Sequence, residues 1–385
     1  MRQRSRVAVA RCRSYDGDAV RLALGRAVAL LGGMGRFVVP GRAVLLKPNI
    51  LAPHPPEKAV TTHPAVVEAV IRLAREAGAA PQVGDSPGFH PLRKAAAASG
   101  IAAAAAAAGA PLVSFDDGAE IETPEGCTVK RFVVAGAVRR APAMLSVPKF
   151  KTHGLTGISA AVKNLFGCIP GLRKAELHCR FPDPELFARM LVDLAFAVSA
   201  RLHLLDAVVA MDGNGPAAGD PFPLGLLIVG EDPVAVDSTA CRAAGIDPQR
   251  IPLLRIAAER GLGNAREEEI ELLGETIETV RVGGFRAGQP GGGAGAHRLP
   301  AFAERAVKRW FARRPRILHR ACTRCGACVA VCPPRPKALS LAGGRVGVDD
   351  RRCIRCYCCS EVCPSRAIRL RRGFGAGPVA RMLKL

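Results

Sequence analysis

Nine of the chain's fourteen cysteines fall between Cys322 and Cys363, and eight of these form two copies of one pattern, offset by 31 residues. The first copy is Cys322-Thr-Arg-Cys325-Gly-Ala-Cys328-Val-Ala-Val-Cys332-Pro333. The second is Cys353-Ile-Arg-Cys356-Tyr-Cys-Cys359-Ser-Glu-Val-Cys363-Pro364. Arg324 and Arg355 also match, as do Val331 and Val362. The N-terminus scatters arginines through the short apolar run Val7–Ala10 and shows no secretory signal. Without an export signal, clustered cysteines point to metal or redox chemistry rather than a disulfide framework.

The spacing narrows that chemistry. In C-x2-C-x2-C-x3-C-P, three close thiolates wrap three irons of one cubane, and the fourth cysteine reaches the other cubane. On this pattern Cys322, Cys325, Cys328 and Cys363 hold one 4Fe–4S cluster, and Cys332, Cys353, Cys356 and Cys359 hold the second. The proline ends each ligand loop. Gly326 and Ala327 let the backbone approach the cluster sulfides. A zinc ribbon needs only four ligands and no third cysteine followed by x3-C-P. Cys358 stands outside the frame and reads as a small buried residue. The segment Ala321–Leu370 resembles the bacterial two-cluster ferredoxin, which implies a pseudo-twofold module of short hairpins and helices. One departure is visible: Cys332 to Ala338 is two residues longer than Cys363 to Ala367, so the first loop is expected to bulge.

Charge follows the same division. The formal net charge is +22, and residues 301–385 hold 20 Lys and Arg against 4 Asp and Glu. Arg324 and Arg355 lie within the ligand loops, where positive charge stabilises reduced, anionic clusters. Arg351, Arg352, Arg366, Arg369, Arg371 and Arg372 read as a docking surface for an acidic redox partner, or as a solvated basic face. Aromatic residues are 4% and no stacking motif is present, so no specific nucleic acid is expected.

The first 285 residues alternate strand-like runs (6–10, 43–46, 81–84, 143–147, 204–210, 224–229) with helical patterns (18–31, 63–77, 184–200). This predicts an α/β N-terminal domain, its sheet parallel or mixed with flanking helices. Residues 95–108 are nearly all alanine and favour helix. Several strands end in polar or glycine-rich turns, where open α/β sheets place ligands. These are Lys47-Pro48-Asn49, Gly84-Asp85-Ser86-Pro87-Gly88, Lys149-Phe-Lys151-Thr-His153, Lys163-Asn164 and Asp212-Gly-Asn214-Gly. Lys47, Lys149, Lys151 and Lys163 are four of eleven lysines in an arginine-rich chain, which suits a small anionic ligand or pKa tuning. Asp85, Asp212 and Asn214 suit a hard cation or a ligand hydroxyl. Each also has an ordinary reading as turn chemistry or solvated charge. No dinucleotide fingerprint, P-loop or nucleophile elbow is present, nor any run of eighteen apolar residues.

The motifs Val44-Leu-Leu-Lys47-Pro-Asn49, Thr61-Thr62-His63-Pro64, Val83-Gly84-Asp85-Ser86-Pro87-Gly88, Val147-Pro-Lys149-Phe-Lys151-Thr-His153, Met211-Asp-Gly-Asn-Gly-Pro216 and Asp232-Pro-Val-Ala-Val-Asp237 occur in that order. Together they resemble domain-of-unknown-function family 362, many of whose members carry a C-terminal two-cluster ferredoxin module. The resemblance implies a pocket at Lys47, Asn49, Asp85, Lys149, Lys151, His153, Lys163, Asn164 and Asn214, and names no reaction; Lys151 and His153 are the catalytic candidates. The expected organisation is an α/β domain (1–285), a Gly/Pro-rich linker (286–300), a basic amphipathic connecting helix (301–320), an α+β ferredoxin-like domain (321–372) and a tail (373–385). Phe302, Ala306, Trp310 and Phe311 mark the apolar face of the connecting helix, suited to interdomain packing or, second, to an anionic membrane surface. The expected function is an electron-transfer protein or oxidoreductase subunit of the cytoplasm, relaying single electrons through two 4Fe–4S clusters to a ligand in the α/β domain or to a docked partner. The alternative is a redox-sensing or binding protein with structural clusters.

Overall fold

The computed structural model describes residues 4–87, 90–171, 173–181, 183–288, 314–355 and 357–371, with backbone alone at Cys179 and Glu361. The strands, in chain order, are β1 (Ser5–Arg11), β2 (Ala43–Pro48), β3 (Ala80–Val83), β4 (Gly118–Glu122), β5 (Arg131–Ala135), β6 (Met144–Val147), β7 (Lys149–His153), β8 (Gly157–Ser159), β9 (Leu202–Asp212), β10 (Asp220–Gly230) and β11 (Ile270–Gly274). The main sheet runs β11-β1-β10-β9-β6-β2-β3, with β7 beside β9 and β8 beside β7. It is mixed: β9, β6, β2 and β3 are mutually parallel, while β10 is antiparallel to both β1 and β9. β4 and β5 form a separate hairpin.

Both faces of the sheet are covered, and the strands read accordingly as near-continuous apolar runs. Along β1, Val7 and Val9 enter one core while Ala8 enters the other. Along β10, Leu226 and Ile228 pair off from Leu227 and Val229 in the same way. Period-two alternation thus feeds two layers. Helices Gly17–Leu30, Pro64–Glu76 and Ile101–Ala107 cover one face, and helices Pro184–Ala197, Pro233–Ala243 and Pro252–Glu259 the other. Their starts are written locally: Asp183-Pro184 and Asp232-Pro233 pair a carboxylate N-cap with proline in the first turn. The alanine-rich run is two short helices, Leu92–Ala98 and Ile101–Ala107, broken where Gly100 turns left-handed at φ 74°.

The C-terminal module contains β12 (Arg314–Ile317), β13 (Leu339–Ala342), β14 (Arg345–Val348) and β15 (Ile368–Arg371). β12 pairs with β15 and β13 with β14, both antiparallel. The 31-residue repeat is also a backbone repeat. Helical turns Ala327–Ala330 and Cys358–Glu361 correspond, Arg324 and Arg355 share φ 59°, and Gly326 and Tyr357 take φ 74° and 64°.

Two boundaries are corrected. The connecting helix was expected to reach residue 320, but Arg314–Ile317 is a strand, because its backbone completes a ladder with β15. The stretch of that helix at 301–313, with its aromatic face, lies outside the described residues, as do the tail and linker residues 289–300. Residues 286–288 belong to the α/β domain instead: Arg286 pairs with Asp212 at 2.6 Å and Asp220 at 2.7 Å, and its carbonyl accepts from Gly213 N at 3.0 Å.

The module rests on loops of the α/β domain. Tyr357 is 4% exposed and joins the larger α/β core, with Leu370 packed beside it. Gly154 permits the approach, since a methyl there would lie 2.8 Å from Leu370 Cδ1. Arg366 Nη1 donates to Gly219 O at 2.9 Å.

Candidate functional site

The cysteines gather into two sets. Cys322, Cys325, Cys328 and Cys363 line one cavity, with Gly326, Ala327, Val346 and Ile368 among its walls. Cys332, Cys353 and Cys359 line a second, with Pro333, Ala338 and Arg355. The fourth sulfur of that set, Cys356, lies outside the described residues. Each half of the repeat therefore lends its last cysteine to the other half's cavity. Backbone amides point at both lent sulfurs, as thiolate acceptors require: Ala367 N donates to Cys363 Sγ and Ala338 N to Cys332 Sγ, each at 3.2 Å. The same contact is made four residues on in one half and six in the other, so the longer loop bulges and still returns its alanine to the sulfur. Left-handed backbone at Gly326 and Tyr357 starts the helical turn within each set. Cysteine sulfurs gathered about shared cavities, with backbone amides aimed at sulfur, fit thiolate ligation of iron–sulfur chemistry. The two surroundings differ at one sulfur: Cys325 of the first set is exposed, while Cys322 and Cys353 are half-buried and Cys328, Cys363, Cys332 and Cys359 are buried.

The second site lies where β2, β3 and β6 end side by side. Because these strands are parallel, their carboxyl ends open on one edge, and the following loops converge. Lys47, at the end of β2, is fully buried. Its Nζ donates to Asp85 Oδ1 at 2.6 Å, Pro48 O at 3.0 Å and Asn164 Oδ1 at 3.2 Å. Asp85 Oδ2 accepts from Ile50 N at 2.6 Å. Asn164 is oriented by donating to Lys47 O and Ser146 Oγ, each at 3.0 Å. Lys151 Nζ donates to Asn49 Oδ1 and Val60 O, each at 2.7 Å. Asp237 supports this from behind, accepting from Ala161 N and Val162 N at the start of the turn that carries Lys163 and Asn164.

These groups frame a cavity of about 70 Å³ lined by Asn49, Asp85, Lys151, Lys163 and Asn164 and closed by Phe166, Gly167 and Pro216. Cys358 and Val362 of the C-terminal module complete its wall. Five of the nine sequence-derived pocket candidates therefore line it. Lys47 lies beneath the floor as Asp85's partner. Lys149 is directed elsewhere: it is 2.9 Å from Asp206 Oδ2 and donates to Tyr15 OH at 2.7 Å. The pairing of β7 with β9 shifts register between Lys149 and Lys151, which parts two side chains of equal parity. His153, the last residue of β7, is not among the cavity's lining residues; its Nδ1 accepts from Leu155 N and Thr156 N of the turn that follows. Asn214 does not line the cavity either, and the Asp212-Gly-Asn-Gly-Pro216 motif reaches it through Pro216 alone.

Sequence reasoning missed Ser86, Lys174 and His178 as lining residues. Lys174 Nζ donates to Ser86 Oγ at 2.7 Å and Ile169 O at 2.6 Å. Burial pushes its pKa down to about 7, with Lys47 and Lys163 adding and Asp85 opposing. Ser86 lay within a quoted motif. Lys174, in Arg-Lys-Ala-Glu, carries no local signal.

Comparison with known proteins follows this division. The family model described as a domain of unknown function (DUF362) matches residues 44–242, and a 4Fe–4S dicluster domain model matches residues 314–364. A thylakoid-associated protein of Synechocystis sp. is 37% identical over 258 residues, covering 67% of this chain and 79% of that protein. Among solved structures, the lactate racemase apoprotein from Thermoanaerobacterium thermosaccharolyticum aligns at TM-score 0.40 and 14% identity, covering 60% of this chain and 54% of that one. A protein from Thermotoga maritima aligns at TM-score 0.38 and 11% identity, covering 63% and 59%.

Proposed function

Because the chain belongs to the DUF362 family and carries a 4Fe–4S dicluster domain behind that region, we propose that it is an iron–sulfur electron-transfer protein or oxidoreductase subunit that passes single electrons to a ligand in the cavity of its α/β domain. In this reading Cys322, Cys325, Cys328 and Cys363 hold one cluster, and Cys332, Cys353, Cys356 and Cys359 the other. Each cluster, when bound, supplies a one-electron couple whose potential the surrounding charge, hydrogen bonds and exposure adjust.

The observation that carries the reading is the seat of the helical turn Cys358–Glu361. It bears Cys359, assigned to the second cluster, and sets the adjoining Cys358 on the wall of the α/β cavity. One turn of chain thus joins the cysteine set to the ligand pocket. The chain's own residues do the rest: Lys151, Lys163, Asn49 and Asn164 bind and orient a small anion, and Phe166, Val362 and Pro216 exclude water. An acidic redox partner docks on the module's basic face, where Cys325, Arg320, Arg324 and Arg345 are all exposed. The compartment in this reading is the cytoplasm, where thiols stay reduced. Among the described residues no helix is long and apolar enough to cross a membrane.

Anaerobic iron and acid-labile sulfide analysis, with low-temperature EPR of the dithionite-reduced protein, tests the assignment. About eight irons per chain and a spin-coupled signal are expected. Zinc without sulfide would overturn electron transfer and leave a metal-stabilised binding module.

A further inference from the structure

The cavity carries more positive charge than its own walls neutralise. Among the described residues lining it, Asp85 is the one carboxylate, against Lys151, Lys163 and Lys174. That carboxylate is committed, Oδ1 to Lys47 Nζ and Oδ2 to Ile50 N. Lys174 touches two neutral acceptors, Ser86 Oγ and Ile169 O, so one of its three N–H groups has no acceptor among the described residues. Ser86 Oγ accepts twice, from Lys174 Nζ and from Gly171 N at 2.9 Å, which leaves its own O–H to be donated. No acceptor for that proton is found among the described residues. Two neighbouring donors therefore stand unused on the wall of one cavity.

We propose that this cavity binds a small oxyanion, a carboxylate or a phosphate, whose oxygens take the O–H of Ser86 and the third N–H of Lys174, with Lys163 adding a second positive charge. The proposal rests on the preceding reading only in taking the same cavity as the ligand pocket; binding itself needs no cluster. Size agrees, since a cavity of about 70 Å³ suits a small ion rather than a nucleotide. The walls agree as well: Ile50, Leu51, Phe166 and Val362 lower the local dielectric and strengthen each charge-assisted hydrogen bond. An anion also removes the cost of holding an ammonium among neutral partners, the condition that depresses the pKa of Lys174.

The test is anaerobic titration calorimetry of the cluster-loaded protein with inorganic phosphate, acetate and malonate as probes. Variants are Lys174→Met and Ser86→Ala, with Lys130→Met, on the exposed hairpin loop, as the charge control. At least one probe is expected to bind one per chain. Lys174→Met should weaken it about tenfold or more, Ser86→Ala measurably, and Lys130→Met not at all. Phosphate and carboxylate arms separate the two sources of the anion. Should Lys174→Met misfold by circular dichroism, Ser86→Ala carries the test, since it deletes one hydroxyl. The proposal is overturned by the absence of saturable binding of any probe, by wild-type affinity in the folded variants, or by an equal loss in Lys130→Met. Calorimetry reads no electron transfer, so failure here leaves the iron assignment standing, and zinc in place of iron leaves the anion site standing.

Discussion

Replacing Asp85 by alanine should unfold the α/β domain more readily than any change on its surface, and the structure sets the size. Lys47 and Asp85 are 0% and 3% exposed and 2.6 Å apart. At an effective dielectric of about 20, two charges at that distance attract by about 6 kcal/mol, a gain largely offset by the desolvation of both. Removing Asp85 cancels the attraction and leaves the desolvation. The Lys47 ammonium keeps two neutral acceptors, Pro48 O and Asn164 Oδ1, and Ile50 N loses its partner. Breaking a buried pair from one side costs about 3–5 kcal/mol. The double change Lys47→Met with Asp85→Leu removes charge and partner together, and it should recover most of the loss. The assay is anaerobic equilibrium unfolding in urea. Far-UV circular dichroism follows the α/β domain, and visible absorbance follows the clusters separately, because a two-domain chain need not unfold in one step. A loss under about 1 kcal/mol for Asp85→Ala, or a double variant no better than the single, would refute the view of this pair as a buried charge couple retained for the cavity rather than for stability.

Three further outcomes are expected. Arg355 is buried against the second cysteine set, its Nη2 2.6 Å from Asp350 Oδ1 and its Nε and Nη1 without hydrogen-bond partners among the described residues. Arg355→Leu should lower the potential of the second cluster on the order of 60 mV, the one-electron equivalent of tenfold, with a smaller effect from the exposed Arg324. An EPR-monitored redox titration with both potentials unmoved would dismiss Arg355 as a tuning charge. Gly167→Ala would press its methyl on Asp85 Oδ1 and Lys47 Nζ, and should cost about 1–3 kcal/mol in the same urea assay while impairing anion binding; a silent variant would show that the loop yields freely. Stability should fall as pH drops below 6.5. Burial holds His203 down to about 3, and His54 and His63 down to about 4, so the folded chain takes up these protons later than the unfolded chain. The stabilisation is complete above the ordinary histidine value and is lost on acidification. His203 alone accounts for about 2 kcal/mol of that loss by pH 5, so His203→Gln should flatten the urea midpoint between pH 7 and 5. An unchanged slope would place the acid lability elsewhere.

Much of the architecture was legible because its determinants are local. The α/β alternation, the Asp-Pro helix starts and the strand ends at Lys47, Asp85 and Lys151 all follow from neighbours a few residues apart. The site was legible only in part. Lys149 and Lys151 look equivalent in a strand pattern, yet an irregularity against β9 sends one to Asp206 and the other to Asn49. His153 reads as a candidate base but serves a turn. Lys174 reads as a surface lysine and becomes a cavity donor because its helix follows a loop that returns to Ser86.

The cysteine repeat is the part that the sequence by itself determined. Ligand spacing is a property of the covalent chain, and a short loop can present its sulfurs in few ways. The tertiary structure alone decided what that module faces. Tyr357 enters the larger core, Arg366 holds the Gly219 carbonyl, and Cys358, the ninth cysteine, becomes with Val362 a wall of a pocket whose other residues lie 180 positions earlier or more, apart from Pro216. That meeting depends on packing between surfaces distant in the chain, for which no local pattern carries the information.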